Sequence, residues 1–150
     1  MRPFVHRAEA FAYFQWNLDQ SVGKAGQNGN AADTSFIQWY YTLAATNVLT
    51  PADRKQIYGR VRITGACSGR DGDALVDAIT AHQQGIQHPI VDGRVSVAHG
   101  DGKIAGKAFF ILRLGARFAN MYPRAWPRLD LIQGCPPIVA KAVLDAIPHP

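Results

Sequence analysis

One stretch of this chain carries both the ends and the buried face of a helix. Its apolar side recurs at helical spacing over residues 75–83, and Gly85 is a natural helix stop. An aspartate, Asp71 or Asp73, stands where the N-cap of that helix is expected. The chain then becomes extended and turns at Asp92-Gly93. The spacing therefore predicts a helix, a stop and a tight turn, in that order.

Comparable patterns elsewhere predict a mainly α, compact helical domain with five or six helices and one or two short strands. With 150 residues, we expect the whole chain, 1–150, to form a single domain. The other expected elements are a helix or extended aromatic segment over 4–18, a helix capped by Asp33 or Thr34, a short helix from Pro51, a strand over 58–64, a helix opening at Gly100–Gly102 and ending near Met121, and a C-terminal helix within 136–147.

The expected strand at 58–64 has an alternating pattern. Arg60 and Arg62 would share one face of it, while Val61 and Ile63 would occupy the other face. Tyr58 would stand beside the two arginines. This pattern places an aromatic ring and two guanidinium groups on one exposed surface.

The charge of the chain points to an anionic partner. It has 16 Lys and Arg residues against 11 acidic ones, and the net charge is +5. Nucleic acid, anionic lipid and the acidic stem peptides of a bacterial cell wall all suit this balance, as does simple solubility. We expect no nucleic-acid partner, because there is no arginine-rich helix or recognised motif. A basic and aromatic run is formed by Arg113, Arg117, Tyr122, Arg124, Trp126 and Arg128.

Membrane insertion and classical secretion are not expected. No apolar run approaches the roughly 20 residues that a spanning helix needs. The segment 1–16 is a poor signal peptide, because charges interrupt its apolar residues. We therefore expect synthesis in the cytoplasm and, if the protein acts in the periplasm or outside the cell, delivery by a non-classical route.

The residues that could carry catalysis are few. A glycosidase needs two carboxylates, but Glu9 is the single glutamate and the clustered aspartates suit a helix N-terminus. His82, His88 and His99 have no zinc-ligand spacing, although a site formed by all three stays open. Cys67 with a histidine as base also stays open. We expect no catalytic residue, no metal and no cofactor.

The two cysteines, Cys67 and Cys135, lie 68 positions apart and lack the paired spacing of a zinc site. A disulfide between them and two free thiols are both consistent with the sequence.

Several short motifs occur in an order that resembles the peptidoglycan-binding-like superfamily, whose modules are compact three-helix units. The matching runs are Ser21–Asn28, Ile37-Gln38, Gly69–Gly72, the Ala-Ile-x-x-ring-Gln tail at 78–83, Asp92–Val95 and a glycine-led helix from Gly100. His82 stands where the family has another ring. The resemblance covers residues 21–114 and leaves 1–20 and 115–150 as flanking helical or loop elements.

The resemblance implies a non-catalytic module that binds peptidoglycan, of the kind found in phage lysis proteins and type VI secretion effectors. Together with the positive charge, it suggests a shallow groove for glycan and stem-peptide carboxylates. The expected ligand-binding residues are Tyr58, Arg60, Arg62 and Gln83. For Gln83 the alternative is that its amide holds a neighbouring backbone turn.

Two further functions stay open. The chain can be a protein-interaction or adaptor module that binds a secretion-machine protein, an effector or a second copy through its flanks. An exposed patch at Phe4, Phe11 and Phe14, or on the C-terminal helix, would support that function. The second open function is that of a small cell-wall hydrolase that uses Glu9.

Overall fold

Five α-helices dominate residues 1–8 and 11–147, the part of the chain that the computed structural model describes; for residues 6–8 and 11–13 it describes the backbone alone. The helices are α1 (Ala31–Thr46), α2 (Ala52–Tyr58), α3 (Ala74–Gly85), α4 (Phe110–Met121) and α5 (Pro137–Ala146), with a 3₁₀ turn at Leu129–Leu131. The expectation of a mainly α protein is confirmed.

The strands of the described residues form three two-stranded antiparallel sheets, more than the one or two strands expected. They are β1 (Arg2–Ala8), β2 (Phe11–Asn17), β3 (Val22–Gly23), β4 (Arg94–Val95), β5 (Lys103–Ile104) and β6 (Lys107–Ala108). The pairs are β1 with β2, β3 with β4, and β5 with β6.

The N-terminal segment is a β-hairpin, so the extended form is the correct one of the two alternatives. Phe14, Trp16 and Leu18 alternate along β2 and just beyond it, which points all three side chains to one side. Trp16 and Leu18 are fully buried, and the indole Nε1 of Trp16 donates to the carbonyl of Pro127 at 2.8 Å. Helical spacing accounts for Phe14 and Leu18 but omits Trp16, the residue that anchors the hairpin to the core.

Helix α1 lies at the centre of the core, since ten of its 16 residues are buried. Phe36 and Trp39 pack against Phe118 of α4, with ring centroids 5.2 and 5.1 Å from that ring. Asn30 caps α1, not the expected Asp33 or Thr34: its Oδ1 accepts the Asp33 N–H at 3.0 Å.

Buried Asp33 serves a different purpose from helix capping. Its carboxylate accepts the backbone N–H groups of Asp19 at 2.9 Å and Gln20 at 2.8 Å, and it pairs with the amino group of Met1. Asp33 therefore ties the end of the hairpin to the first turn of α1.

The strand expected over 58–64 does not exist, which corrects the placement of Tyr58, Arg60 and Arg62. Tyr58 is the last residue of α2, and the chain keeps winding after it, since the N–H of Val61 donates to the Tyr58 carbonyl at 3.0 Å. An alternating pattern becomes a strand only where a partner strand is available. Among the described residues, no strand pairs with this segment.

A buried glutamine supplies the hydrogen bonds that a partner strand would have supplied. The Oε1 of Gln38 in α1 accepts the N–H groups of Thr64 and Gly65, both at 2.9 Å. Its Nε2 donates to the carbonyl of Ala66 at 2.9 Å and to the hydroxyl of Thr64 at 3.1 Å. This side chain fixes the loop between α2 and α3 on the face of α1.

Helix α3 matches its predicted cap, stop and buried face. Asp73 caps it, with Oδ1 accepting the Leu75 N–H at 2.9 Å. At the other end, the Oε1 of Gln83 accepts the N–H groups of Asp92 at 3.1 Å and Gly93 at 2.9 Å, and its Nε2 donates to the Arg94 carbonyl at 3.0 Å. Gln83 therefore holds the turn that begins β4, as the structural alternative for this residue predicted.

The turn held by Gln83 also needs glycine. Gly23 in β3 has φ +112°, and a Cβ placed there would lie 2.3 Å from the Gly93 carbonyl oxygen. The close approach of β3 to the turn therefore leaves no space for a side chain at position 23.

The helix expected from Gly100 begins instead at Phe110. The intervening residues form the hairpin of β5 and β6, whose turn has Ala105 at φ 50° and Gly106 at φ 73°. Two consecutive left-handed residues are the requirement of a tight hairpin turn, and they exclude a helix. The predicted end at Met121, before Pro123, is correct, and so is the C-terminal helix.

Cys67 and Cys135 are both free and partly buried, so the two-thiol alternative is the correct one. No helix within the described residues has the length and hydrophobicity to cross a bilayer.

We predict that Gln83→Leu lowers the free energy of unfolding by about 3 kcal/mol. The substitution leaves backbone N–H and carbonyl groups without a partner, and each such group costs roughly 1–3 kcal/mol. Urea denaturation measures the change. Gln84→Leu, at the exposed neighbouring position, is the matched control and should change stability by no more than about 0.5 kcal/mol. Equal effects of the two substitutions would contradict the structural role of Gln83.

Candidate anion-binding cleft

A cleft of about 470 Å³ lies where α1, α2, α3 and α4 meet. This volume falls within the range of small-molecule sites, roughly 300–1,000 Å³. Its lining residues are Tyr40, Ala44, Leu49, Thr50, Pro51, Arg54, Tyr58, His82, Ile86, Arg113, Ala116 and Arg117. Leu49 and Pro51 are exposed at the rim, while Tyr58 and His82 are buried at the floor.

Helical spacing brings the cationic side chains of the cleft together. Arg113 and Arg117 are four residues apart on α4, and Arg54 and Tyr58 are four residues apart on α2, so each pair shares one helix face. All three arginines are partly buried. The packing of α2 and α4 around the end of α3 then directs these two faces toward the same space.

The arginines of the cleft form no ion pair in the described part of the chain, although the charge of Asp53 reaches Tyr58 at the cleft floor. No carboxylate lines the cleft. The described residues form six ion pairs, and none of these includes Arg54, Arg113 or Arg117. Guanidinium groups present several donors in a fixed plane, which suits carboxylate and phosphate oxygens. The cleft therefore favours an anionic ligand.

Two tyrosine hydroxyls accompany the arginines. Burial raises the pKa of Tyr40, and the charge and hydrogen bonding of Arg117 oppose that rise. Burial raises the pKa of Tyr58 to about 12, against the opposing effect of Arg54. Both phenols are therefore protonated at neutral pH and can donate to an anion.

His82, which stands at the ring position of the resemblance, acts as one of a cluster of rings. It stacks on Tyr40 with an interplanar angle of 4°, and its edge meets Phe110 at a centroid distance of 5.0 Å. Its Nδ1 shares a hydrogen bond of 3.2 Å with the Tyr41 hydroxyl. Burial, assisted by the positive charges of Arg54, Arg117 and Arg113, lowers the pKa of His82 to about 3. At neutral pH the ring is uncharged.

The four ligand-binding residues predicted from sequence do not form one site. Tyr58 lines the cleft, but Arg60 lies on another groove. The guanidinium of Arg62 donates to the carbonyls of its own turn, at 2.7 Å to Gly59 and 3.0 Å to Val61. Gln83 is 1% exposed and its amide is engaged within the protein, so it has little surface to offer a ligand.

The groove beside Arg60, of about 590 Å³, is larger than the cleft but has more acidic than basic residues in its lining. Lys24 and Arg60 face three aspartates there, and Lys24 pairs with Asp71 at 2.8 Å. Because its cations already have anionic neighbours, this groove attracts an anion less than the arginine cleft does.

The basic and aromatic run noted in the sequence divides into two parts. Arg113 and Arg117 enter the cleft, whereas Arg128 forms a two-fold contact with Asp130, at 2.8 and 2.6 Å. Arg54 and Tyr40 were not predicted. The i,i+4 spacing of Arg113 and Arg117 and the assignment of Tyr58 were the sequence signals of the cleft, and nothing in the sequence linked them to Arg54.

In the described residues, the three central histidines do not form a metal-binding cluster. There, no group of three or more His, Cys, Asp or Glu side chains is placed to hold a metal ion. Burial raises the pKa of the Cys67 thiol, which lies near Asp73, and raises that of Cys135 to about 11. Both are thiols at neutral pH. Glu9 and the side chain of Phe11 lie outside the described residues.

Comparison of the chain with protein-family models, curated proteins and solved structures finds no match. The geometry of the cleft is therefore the main basis for a functional hypothesis.

We predict that His82→Phe makes the protein less sensitive to acid. The folded-state pKa of His82 lies below its unfolded value of 6.5, so the unfolded state binds the extra proton and stability falls as the pH drops below about 6.5 toward 3. Between about pH 6 and pH 4, the wild type should lose about 2 kcal/mol more unfolding free energy than the variant. Urea denaturation across this range measures the difference, and parallel curves would contradict it.

Proposed function

We propose that the protein is a non-catalytic module that binds bacterial cell-wall peptidoglycan, and that the cleft receives a stem-peptide carboxylate. The observation that carries the proposal is the convergence of Arg54, Arg113 and Arg117, none of which forms an ion pair in the described residues. A cleft with this charge is suited to hold an anion and has no internal ion pair to break first.

The chemistry of the cleft favours recognition of a carboxylate. A guanidinium can donate two parallel hydrogen bonds to one carboxylate, and each charge-assisted bond contributes roughly 1.5–3 kcal/mol. The Tyr40 and Tyr58 hydroxyls add neutral donors beside it. His82 is uncharged at neutral pH, so it contributes no charge to the anion and supports the rings on which the cleft is built.

The order of the family-like motifs gives the proposal its particular ligand. In the resemblance, α1, α3 and α4 would be the three helices of the core, with α4 beginning at Phe110 instead of at Gly100. The ring position of the α3 tail is His82, which lies at the floor of the cleft. Delivery by a secretion or phage machine is part of the same proposal.

We predict that Arg54→Ala/Arg113→Ala/Arg117→Ala lowers retention on purified sacculi by about tenfold or more at moderate salt. Loss of even one charge-assisted hydrogen bond corresponds to roughly a tenfold weaker complex. The assay is sedimentation with sacculi that have been stripped of attached phosphate polymers. Amidation of the stem-peptide carboxylates should weaken wild-type retention in the same way.

A matched variant separates the cleft from the overall charge. Arg70→Ala/Lys107→Ala/Arg124→Ala removes the same charge from exposed positions outside the cleft and should retain at least half of the binding. Arg60→Ala/Arg62→Ala tests the original sequence assignment in the same assay. No wild-type retention above that of a neutral control protein would refute the proposal, and equal losses in both triple variants would refute the role of the cleft.

An adaptor function is the second candidate, and one observation favours it. Leu131, Ile138 and Leu144, at the C-terminal end, are 64%, 43% and 41% exposed. Phe4 and Phe14 are partly buried, so the described part of the N-terminal patch offers less apolar surface. If the adaptor function holds, light scattering should give a mass above 16.4 kDa that Ile138→Ser/Leu144→Ser returns to the monomer value.

A further inference from the structure

The turn between α1 and α2 exposes two adjacent aliphatic side chains. Val48 is 88% exposed and Leu49 is 74% exposed, more than any other large apolar residue in the described part of the chain. Single exposed apolar residues are ordinary on protein surfaces. Two consecutive ones at the tip of a turn form a small apolar projection, which we call the apolar tip.

The apolar tip is held in place by hydrogen bonds. The Thr50 N–H donates to the Asn47 carbonyl at 3.1 Å, and the Leu49 N–H donates to the Asn47 side chain at 2.9 Å. The turn is bounded by Thr46, the last residue of α1, and by Ala52, the first residue of α2. Because this turn is short and hydrogen-bonded, the apolar tip loses little conformational entropy when it enters an apolar environment.

The apolar tip stands beside the arginine cleft. Leu49 belongs to the cleft rim, and Arg54, Arg113 and Arg117 lie along the same cleft. The structure therefore presents aliphatic side chains and uncompensated guanidinium groups side by side. A soluble polyanion would leave the aliphatic side chains exposed to water. An apolar protein surface would leave the guanidinium groups without a counter-charge.

An anionic bilayer surface matches both parts. Guanidinium groups suit the headgroup phosphates, and an aliphatic tip suits the acyl region immediately below them. Anionic lipids attract each basic residue near the surface, and the net charge of +5 adds to that attraction. Charge complementarity thus selects a lipid surface over a neutral or basic protein partner.

We propose that the apolar tip and the arginine cleft together dock the protein on an anionic phospholipid bilayer, with Val48 and Leu49 entering the acyl region and the three arginines holding headgroup phosphates. This contact is peripheral. It goes beyond wall recognition and does not depend on it, although the two share the cleft.

The test is co-sedimentation of the full chain with vesicles of equal parts phosphatidylcholine and phosphatidylglycerol, compared with vesicles of phosphatidylcholine alone. The wild type should sediment with the anionic vesicles and much less with the neutral ones. Val48→Ser/Leu49→Ser should lower the partition coefficient by roughly tenfold or more, because burial of each aliphatic side chain is lost. Ile138→Ser/Leu144→Ser, which replaces two half-exposed aliphatic side chains on α5 in the same way, should sediment like the wild type.

Four results would overturn the membrane contact. One is equal sedimentation with anionic and neutral vesicles; another is an equal effect of the two serine pairs. The third is a wild-type dimer in light scattering that Val48→Ser/Leu49→Ser makes monomeric, since the tip would then contact a second copy. The fourth comes from a titration with inorganic phosphate. If the protein binds phosphate but does not sediment with anionic vesicles, lipid docking is also refuted. Sacculus retention is measured separately, so each proposal can fail while the other stands.

Discussion

Two buried glutamine amides hold the loops of this protein, and the positions of its helices depend on them. The sheets have two strands each, so they satisfy few of the backbone groups in the long connections. Gln38 in α1 and Gln83 in α3 supply hydrogen-bond partners for these backbone groups. In each glutamine, Oε1 accepts two backbone N–H groups and Nε2 donates to a carbonyl. Each amide makes backbone hydrogen bonds that a neighbouring strand would otherwise make.

This arrangement explains why the cleft forms at the end of α3. Gln83 directs its amide to one side of the helix and secures the following turn, while the adjacent His82 packs into the ring cluster. The rings of Tyr40, Tyr58 and Phe110 come from α1, α2 and α4 and meet around His82. The arginines of α2 and α4 are carried to the same place by that packing.

The parts of the structure that could be predicted from sequence are those with local causes. The Asp73 cap, the stop near Gly85 and the end of α4 near Met121 each depend on a few neighbouring residues, and all were predicted. The segment after Tyr58 alternates like a strand, yet a strand also needs a partner, which is a tertiary fact. The residues predicted to bind a ligand from that strand therefore lie at a helix end and the turn after it, where Arg60 and Arg62 line one groove and Tyr58 lines the cleft.

The candidate site, too, could be predicted from sequence only where its features have local causes. Arg113 and Arg117 were recognisable as a basic pair, because helical spacing makes them neighbours. Arg54 lies about sixty positions away in sequence, and only the packing of α2 against the rest of the core joins it to them. The convergence of side chains from two helices cannot be predicted from the periodicity of either helix.

The charge in the cleft is an argument for function because it opposes stability. Three partly buried guanidinium groups repel one another, and after burial, the largest cause, their charges help to lower the pKa of the neighbouring His82. A chain selected for stability alone would place an acidic residue among them, since opposite charges offset one another. Features that break a local rule of stability are expected mainly at functional sites. The uncompensated arginines, next to an exposed aliphatic tip, are such a feature, and the absent counter-charge is what a bound anion would supply.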